Sequence, residues 1–312
     1  MNERPLPKPA GTWRLGRVGG VDLLIKPSIV LMGVVLIALF APRFDDRSYA
    51  NPYALAAVFV IALYVSVFVH ELAHVFAARQ FGMRVQSVTL HLLGGETLIE
   101  GESRTPWQEL WISISGPLTS LGIGVSSLSL SRSTDGTTSD ILWSVGYVNI
   151  LVAIFNMLPG LPLDGGRVFR AIIWQVTGRE ETGVRIAAWI GRTAAVGVVA
   201  FALLNRDGDN RLGVNLAIAL LVGWFLWQGA SDALRNASRS SRINMLVARS
   251  IVDTQQPPPE GAPRLSADLH GSALLRAMAA HPADVYTLTE ADGSVVGSLS
   301  ARAVDDAYRA SR

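Results

Sequence analysis

The stretch VFVHELAHVFAARQFG, residues 67–82, places two histidines and a glutamate inside an otherwise apolar run. On an α-helix, residues four apart share a face, so His70 and His74 can ligate one metal ion. Glu71 lies about 100° further round the helix, where its carboxylate can reach a water on that ion without ligating the ion itself. Neutral imidazoles suit Zn²⁺, and a catalytic zinc usually has three protein ligands and one open position. The spacing therefore indicates a zinc site in which Glu71 acts as the general base.

A different interpretation of the same stretch is a helix whose histidines only bond to neighbouring carbonyl groups. Ionisable side chains are costly inside a membrane and are usually functional there. Because His70, Glu71 and His74 all fall within one apolar span, the metal site is the favoured interpretation.

A third ligand is available in NMLPGLPLDGGR, residues 156–167. Pro159 and Pro162 break the helix just before Asp164, and irregular backbone at membrane depth is tolerated where it is buried in protein or lines a cavity. Asp164 is the candidate ligand; the alternative is a plain helix cap before two glycines. Asn156 is a candidate for an oxyanion donor or a support for the substrate backbone, or else its amide bonds to carbonyls freed by Pro159.

The composition is that of a membrane protein with several helical spans. Half of the 312 residues are hydrophobic, 17% are charged, and mean hydropathy is +0.33, against about 25% charged residues in a typical soluble domain. A helix needs about 20 apolar residues to cross the bilayer. The net charge of +2 gives no argument for nucleic acid, and the absence of cysteine excludes disulfides and thiolate metal sites. Six apolar spans are predicted: Ile29–Ala41, Tyr53–Ala78, Trp107–Leu130, Ile141–Leu158, Ile186–Leu204 and Val214–Ala230.

The distribution of Lys and Arg predicts that both termini are cytoplasmic. With the N-terminus inside, fifteen Lys and Arg residues fall in inside segments and five in the outside loops. The polar first 20 residues are not expected to be a cleavable signal peptide. His70 comes about 25 Å into the second span at 1.5 Å per residue, and Asp164 follows the fourth, which runs in the same direction. The predicted ligands therefore meet near the cytoplasmic face.

The segment SVTLHLLGGETLIE, residues 87–100, alternates apolar and polar residues. Such a segment is able to present a strand edge to an extended peptide. Gly94 and Gly95 are expected to form the turn. The alternative is an ordinary surface hairpin, and His91 is interpreted as an interfacial side chain rather than a ligand.

Together these motifs resemble the site-2 protease family of intramembrane zinc metalloproteases, peptidase family M50. The resemblance rests on HELAH, SISGPLTSL, VTLHLLGGET and NMLPGLPLDGGR, and it covers residues 15–235. It implies His70, His74 and Asp164 as ligands of one Zn²⁺ per chain and Glu71 as the base. It also implies membrane-anchored protein or peptide substrates, such as anti-sigma factors, and a location in the plasma membrane.

The sequence predicts four segments, of which the last is a small soluble domain. Residues 1–26 are expected to form a cytoplasmic segment, 27–235 the membrane protease, 236–264 a proline-containing linker and 265–312 a small α/β domain. Asp292-Gly293 predicts a β-hairpin in that domain. The domain resembles a single cystathionine-β-synthase-type (CBS) motif. Because CBS motifs usually work in pairs, a homodimer through this tail is expected.

CBS pairs commonly bind adenine nucleotides through a Ser or Thr followed three residues later by Asp. Here Ser300 is followed at that offset by Ala303, which argues against nucleotide binding. A zinc-bearing transporter or a catalytically silent scaffold is the alternative function for the whole chain. A transporter is expected to show paired interrupted helices, a silent scaffold to lack Glu71, and the sequence meets neither expectation.

Overall fold

The computed structural model describes residues 11–44, 51–91, 94–100, 103–204 and 212–310. The outside loops expected around residues 45–50 and 205–211, and the first ten residues, lie outside these ranges. The chain divides into two compact units, Met1–Ala230 and Ser231–Arg312.

The larger unit contains a four-stranded sheet in the order β1-β2-β3-β4. The strands are β1 (Trp13–Val18), β2 (Val21–Ile25), β3 (Arg84–His91) and β4 (Gly94–Glu100). β2 runs parallel to β3, whereas β1 and β4 pair antiparallel with their neighbours. Thus part of the expected N-terminal segment, 1–26, joins the predicted β segment in one sheet, and β4 lies at its edge.

The register of β3 and β4 corrects the expected turn. His91 pairs with Gly94, and Leu90 pairs with Gly95. Gly94 and Gly95 therefore begin β4, and the connection between the strands falls on residues 92–93, which lie outside the described ranges. The His91 side chain is likewise not among those described.

The helices of the larger unit follow the predicted spans, with one addition. They are α1 (Ser28–Phe40), a 3-10 helix (Ala41–Phe44), α2 (Pro52–Gln80), α3 (Pro106–Ser131), α4 (Gly136–Asn156), α5 (Asp164–Thr177), α6 (Glu180–Leu204) and α7 (Leu212–Asn244), which extends into the second unit. Asn51 and Thr105 cap α2 and α3 by accepting hydrogen bonds from Tyr53 N and Gln108 N. The 14-residue α5 is the addition, and it lies between the fourth and fifth predicted spans.

Four helices in the described ranges are long and apolar enough to cross a membrane: Pro52–Gln80, Gly136–Asn156, Glu180–Leu204 and Leu216–Asn244. The first predicted span corresponds to the short apolar helix Ser28–Phe44. The third corresponds to α3, which is long enough but rich in serine. Ser113, Gly116 and Ser120 of α3 are buried, so the face of α3 that carries them packs against neighbouring elements.

Close packing of small residues joins α3 to α4. A Cβ added at Gly124 would lie 3.0 Å from the carbonyl oxygen of Gly146, and one added at Gly146 would lie 2.9 Å from that of Gly124. Helices in a membrane approach most closely where both present small residues. This contact fixes α4, whose C-terminus leads towards Asp164.

The smaller unit contains the strands β5 (Arg264–Ser266), β6 (Val285–Thr289) and β7 (Val295–Ser300), with the helices α8 (Ala248–Ile251), α9 (Gly271–Ala280) and α10 (Ala301–Ala310). The predicted hairpin is confirmed, since β6 and β7 pair antiparallel and Gly293 has a φ of +87°. Hydrogen bonds from the Ser294 side chain and backbone lower the pKa of Asp292 in this turn.

Part of the segment expected to be a linker, 236–264, is folded. α7 continues to Asn244. Leu246 and Ala248 are buried in the core of the smaller unit with Leu274, Tyr286 and Leu299. This part of the segment folds because its apolar residues, although interspersed among polar ones, stabilise the folded state when they are buried against the sheet.

Candidate metal centre and active site

The two histidines of α2 and the first residue of α5 converge on one point. His70 Nε2 lies 3.1 Å from Asp164 Oδ2 and 3.2 Å from His74 Nε2, and His74 Nε2 lies 3.4 Å from Asp164 Oδ2. Ligand atoms 2.0–2.1 Å from a tetrahedral Zn²⁺ lie about 3.3 Å from one another. The three donors therefore already have the spacing of three ligands around a zinc ion, and they form a group able to hold a metal.

The other ring nitrogen of each histidine is held by α3. His74 Nδ1 donates to the carbonyl of Ile112 at 2.7 Å, and His70 Nδ1 lies 2.9 Å from Ser120 Oγ. A carbonyl accepts only, so Nδ1 of His74 carries the proton and Nε2 of the neutral ring keeps its lone pair for a metal. A carbonyl bond at the histidines was the alternative to a metal site. For His74 it occurs at Nδ1 and supports metal binding at Nε2.

Gly116 leaves space for the two imidazoles. A Cβ at this position would overlap Nε2 of both His70 and His74. Gly116 therefore faces the metal group, which explains why a glycine is needed inside this helix.

Glu71 lies beside the metal group and is held by β4. The Glu71 side chain is buried, and its Oε2 accepts a hydrogen bond of 2.7 Å from Thr97 Oγ1. A Cβ at Gly95 would lie 2.7 Å from Glu71 Oε1. The close approach of β4 to the carboxylate, rather than a turn, is what requires glycine at position 95.

A cavity of about 630 Å³ opens onto these residues. His70, Glu71, Gly95 and Asp164 line its polar part, and Asn156 lines it at the C-terminus of α4. Apolar side chains from α2, α4 and α7 and from the connection before α5 form much of the remaining wall: Val67, Val148, Leu151, Val152, Ile154, Phe155, Leu158 and Phe225. The candidate residues His70, Glu71, Gly95, Asn156 and Asp164 thus share one cavity, whereas Gly94 lies in β4 as the residue before Gly95.

Sequence reasoning missed several residues that support the site. Thr97, Ile112 and Ser120 hold Glu71 and the histidines. Glu109 is 1% exposed at the start of α3 and pairs with Arg167 and Arg170 of α5. An acid in the first turn of an apolar helix is itself a signal for a buried partner, but Arg167 lies 58 residues away in the sequence, so local spacing does not identify it.

Comparisons with known proteins agree with this geometry. The family model described as "Peptidase family M50" matches residues 58–136 and 123–199. Rip3 of Mycobacterium tuberculosis is 31% identical over 303 residues, which cover 94% of this chain and 75% of Rip3. The protein sll0528 of Synechocystis is 34% identical over 251 residues, covering 78% of this chain. The names of both relatives include the words zinc metalloprotease.

A solved structure has a similar fold. The site-2 protease from Methanocaldococcus jannaschii superposes with a TM-score of 0.53 at 29% identity, covering 72% of this chain and 95% of that one. The chain spans only 65% of the length of sll0528, but it covers three quarters of Rip3 at 31% identity. Together with the family model, these similarities show that the chain is a member of peptidase family M50, the family of site-2 proteases.

Proposed function

We propose that this protein is an intramembrane zinc metalloprotease that hydrolyses peptide bonds in membrane-anchored substrates. The observation that carries the proposal is the convergence of His70, His74 and Asp164 beside a buried glutamate, at the end of a largely apolar cavity. Two nitrogens and one carboxylate oxygen are a ligand set that suits Zn²⁺ and leaves a fourth position open.

Each residue has a role that follows from its position. His70, His74 and Asp164 would hold the ion, which when bound supplies a Lewis acid and lowers the pKa of water towards 7. Glu71 accepts the proton of the attacking water and passes it to the leaving amine. Thr97 donates to one oxygen of Glu71 and so orients the other towards the cavity.

We infer that the substrate lies along β4 as an extended strand. β4 is the edge strand of its sheet, and Gly95 and Thr97 bring it against Glu71. An edge strand offers backbone donors and acceptors to an added peptide. The apolar wall of the cavity suits the side chains of a membrane segment, and Asn156 is positioned to donate to the substrate backbone or to the oxyanion.

We also propose the finer arrangement that the motifs imply. α1 and α3 cross the membrane with the four longer apolar helices, both termini are cytoplasmic, and the membrane is the plasma membrane. Residues 265–312 form a CBS-like regulatory domain that pairs with the same domain of a second chain. The order β5-α9-β6-β7-α10 and the three-stranded sheet support the CBS-like assignment of this domain. Ala303 argues against a nucleotide ligand.

Proteolysis of a model substrate tests the proposed activity. The purified protein in lipid vesicles is incubated with a tagged single-span protein, before and after zinc is stripped with a chelator. Cleavage that is lost on stripping and restored by Zn²⁺ supports the proposal. If a panel of such substrates stays intact with a zinc-loaded, folded protein, the proposed activity is wrong.

A further inference from the structure

A buried ion cluster joins the first turn of α3 to α5. Glu109, 1% exposed, accepts a 2.9 Å hydrogen bond from Arg167 Nε and forms an ion pair with Arg170. Ser103 Oγ donates to its other oxygen at 2.7 Å. Arg170 also lies 3.6 Å from Glu180 at the start of α6. The cluster therefore connects the cytoplasmic starts of two helices through α5.

α3 holds all three proposed metal ligands in place, two of them directly and the third through α5. Its middle holds His74 through the carbonyl of Ile112 and His70 through Ser120. Its first turn holds α5 through Glu109, and α5 begins with Asp164. Arg167 follows Asp164 by three residues and Arg170 follows Arg167 by three, so each residue of this row is a neighbour of the next on the surface of α5.

The packing of α5 combines close backbone contact with few buried large side chains. Its buried residues are Gly165, Gly166 and Ala171, and its larger apolar side chains, such as Phe169 and Trp174, are only partly buried. A buried charge pair is seldom a net source of stability compared with apolar residues, and its best-attested benefit is a unique register. Here the register that the pair selects is the one that places Asp164 against the histidines.

We propose that Glu109, acting through Arg167 and Arg170, is a positioning residue that holds Asp164 at ligand distance from His70 and His74. The inference rests on the proposed metal role of Asp164. It assigns a function to an acid that touches neither metal nor substrate. Loss of the Glu109 charge releases α5, and the metal site loses affinity before the fold is lost.

The test is zinc affinity of the full-length protein with Glu109→Gln, measured by competition with a chelator. The expected result is binding weakened by about 10- to 100-fold, the range for residues that support metal ligands. The visible spectrum of the Co²⁺-loaded variant should change, because the ligand geometry changes. Arg167→Gln should behave in the same way. Arg185→Gln, an exposed arginine of α6, is the matched control and should bind zinc like the unaltered protein.

Glu109→Asp separates positioning from folding if Glu109→Gln does not fold. Aspartate keeps the charge but is shorter than glutamate by one methylene. Zinc affinity should therefore fall by a smaller factor than in Glu109→Gln, in a protein that still folds. Unchanged zinc affinity and Co²⁺ spectrum in a folded Glu109 variant would overturn the proposal, and so would unfolding of Glu109→Asp, because that would show a general structural role. If Asp164→Ala also leaves zinc binding intact, the ligand assignment has failed rather than the positioning role.

Discussion

At the scale of single residues, each histidine of the site uses its two ring nitrogens differently. Nε2 points to the shared metal position and Nδ1 is held by α3. Asp164 completes the group from another helix. Glu71 lies beside the group and accepts a hydrogen bond from Thr97. This arrangement separates the groups that hold the metal from the group that moves protons, so substitutions should separate the two effects.

Asp164→Ala should remove zinc as well as activity, because it deletes a direct ligand. The loss of zinc affinity should exceed the roughly 10- to 100-fold that supporting residues cost. Metal content after dialysis against a weak chelator measures this. Asp135→Ala, which removes the exposed N-cap acid of α4, is the control. Stoichiometric, tightly held zinc in the Asp164 variant would mean that the third ligand lies elsewhere.

Thr97→Val should lower kcat and leave zinc bound. Valine matches the shape of threonine but leaves the Glu71 oxygen without its donor, and a hydrogen bond to a charged group contributes about 1.5–3 kcal/mol. The expected fall in kcat is about 10- to 100-fold at this energy, with little change in KM. Thr97→Ser retains the hydroxyl and should recover most of the rate. Equal rates for the valine and serine variants would show that Thr97 does not position the base.

At the scale of elements, α3 is the scaffold of the site, and its glycines have distinct environments. Gly116 faces the histidines, whereas a Cβ at Gly122 would meet no atom within 4 Å. Both lie inside the same helix, and alanine is intrinsically the better helix former by about 1 kcal/mol. Alanine should therefore disturb the site at Gly116 but leave the stability of the protein unchanged or higher at Gly122.

Gly116→Ala should displace the imidazoles and weaken zinc binding, because its Cβ would overlap both Nε2 atoms. Gly122→Ala should bind zinc normally and unfold at the same or a higher temperature. Zinc titration and thermal unfolding in detergent measure both effects. Normal zinc affinity in Gly116→Ala would contradict the placement of α3 against the histidines.

Sequence predicted the parts of the site that depend on local spacing. His70, Glu71 and His74 follow from one helical turn, Asp164 from two prolines and a topology argument, and the tail hairpin from Asp292-Gly293. The α3–α5 ion cluster was missed because Glu109 and Arg167 are 58 residues apart in the sequence, and neither segment alone indicates the other. The parallel pairing of β2 with β3 joins segments about 60 residues apart, which alternation within either segment cannot specify.

The expectation that Gly94 and Gly95 form the turn of the β3–β4 hairpin is wrong for a related reason, since both residues belong to β4. Gly94 and Gly95 carry the usual turn signal, and residues 92–93 are both leucine. Gly95 is needed instead where β4 meets Glu71. A glycine pair indicates either a turn or a close approach, and only the three-dimensional structure distinguishes them.

At the scale of the whole molecule, a membrane unit with the candidate site precedes a small α/β unit. The candidate metal ligands His70, His74 and Asp164 all belong to the first unit. The second unit has its own core, which includes Leu246 and Ala248. A truncation that removes the tail cleanly should therefore start after α7.

Deletion of residues 245–312 should leave zinc bound and convert a dimer to a monomer. The mass of the protein in detergent should fall from that of two full chains to that of one truncated chain, and the cleavage rate should change without vanishing; a fall of only two deleted segments would show a dimer that does not depend on the tail. Light scattering and the substrate assay measure the two effects. A fall in mass equal to the deleted segment alone would contradict the dimer, and complete inactivity of a folded, zinc-loaded truncation would show that the tail is more than regulatory.

The most direct test of the account is Glu71→Gln, examined for metal and for cleavage in the same preparation. Glutamine keeps the size and can still accept from Thr97, but it cannot take a proton from water. Zinc content should stay at one ion per chain while cleavage of the membrane-anchored substrate falls to background. Cleavage that persists in the zinc-loaded Glu71→Gln protein would contradict the assignment of Glu71 as the base, and with it the proposed mechanism.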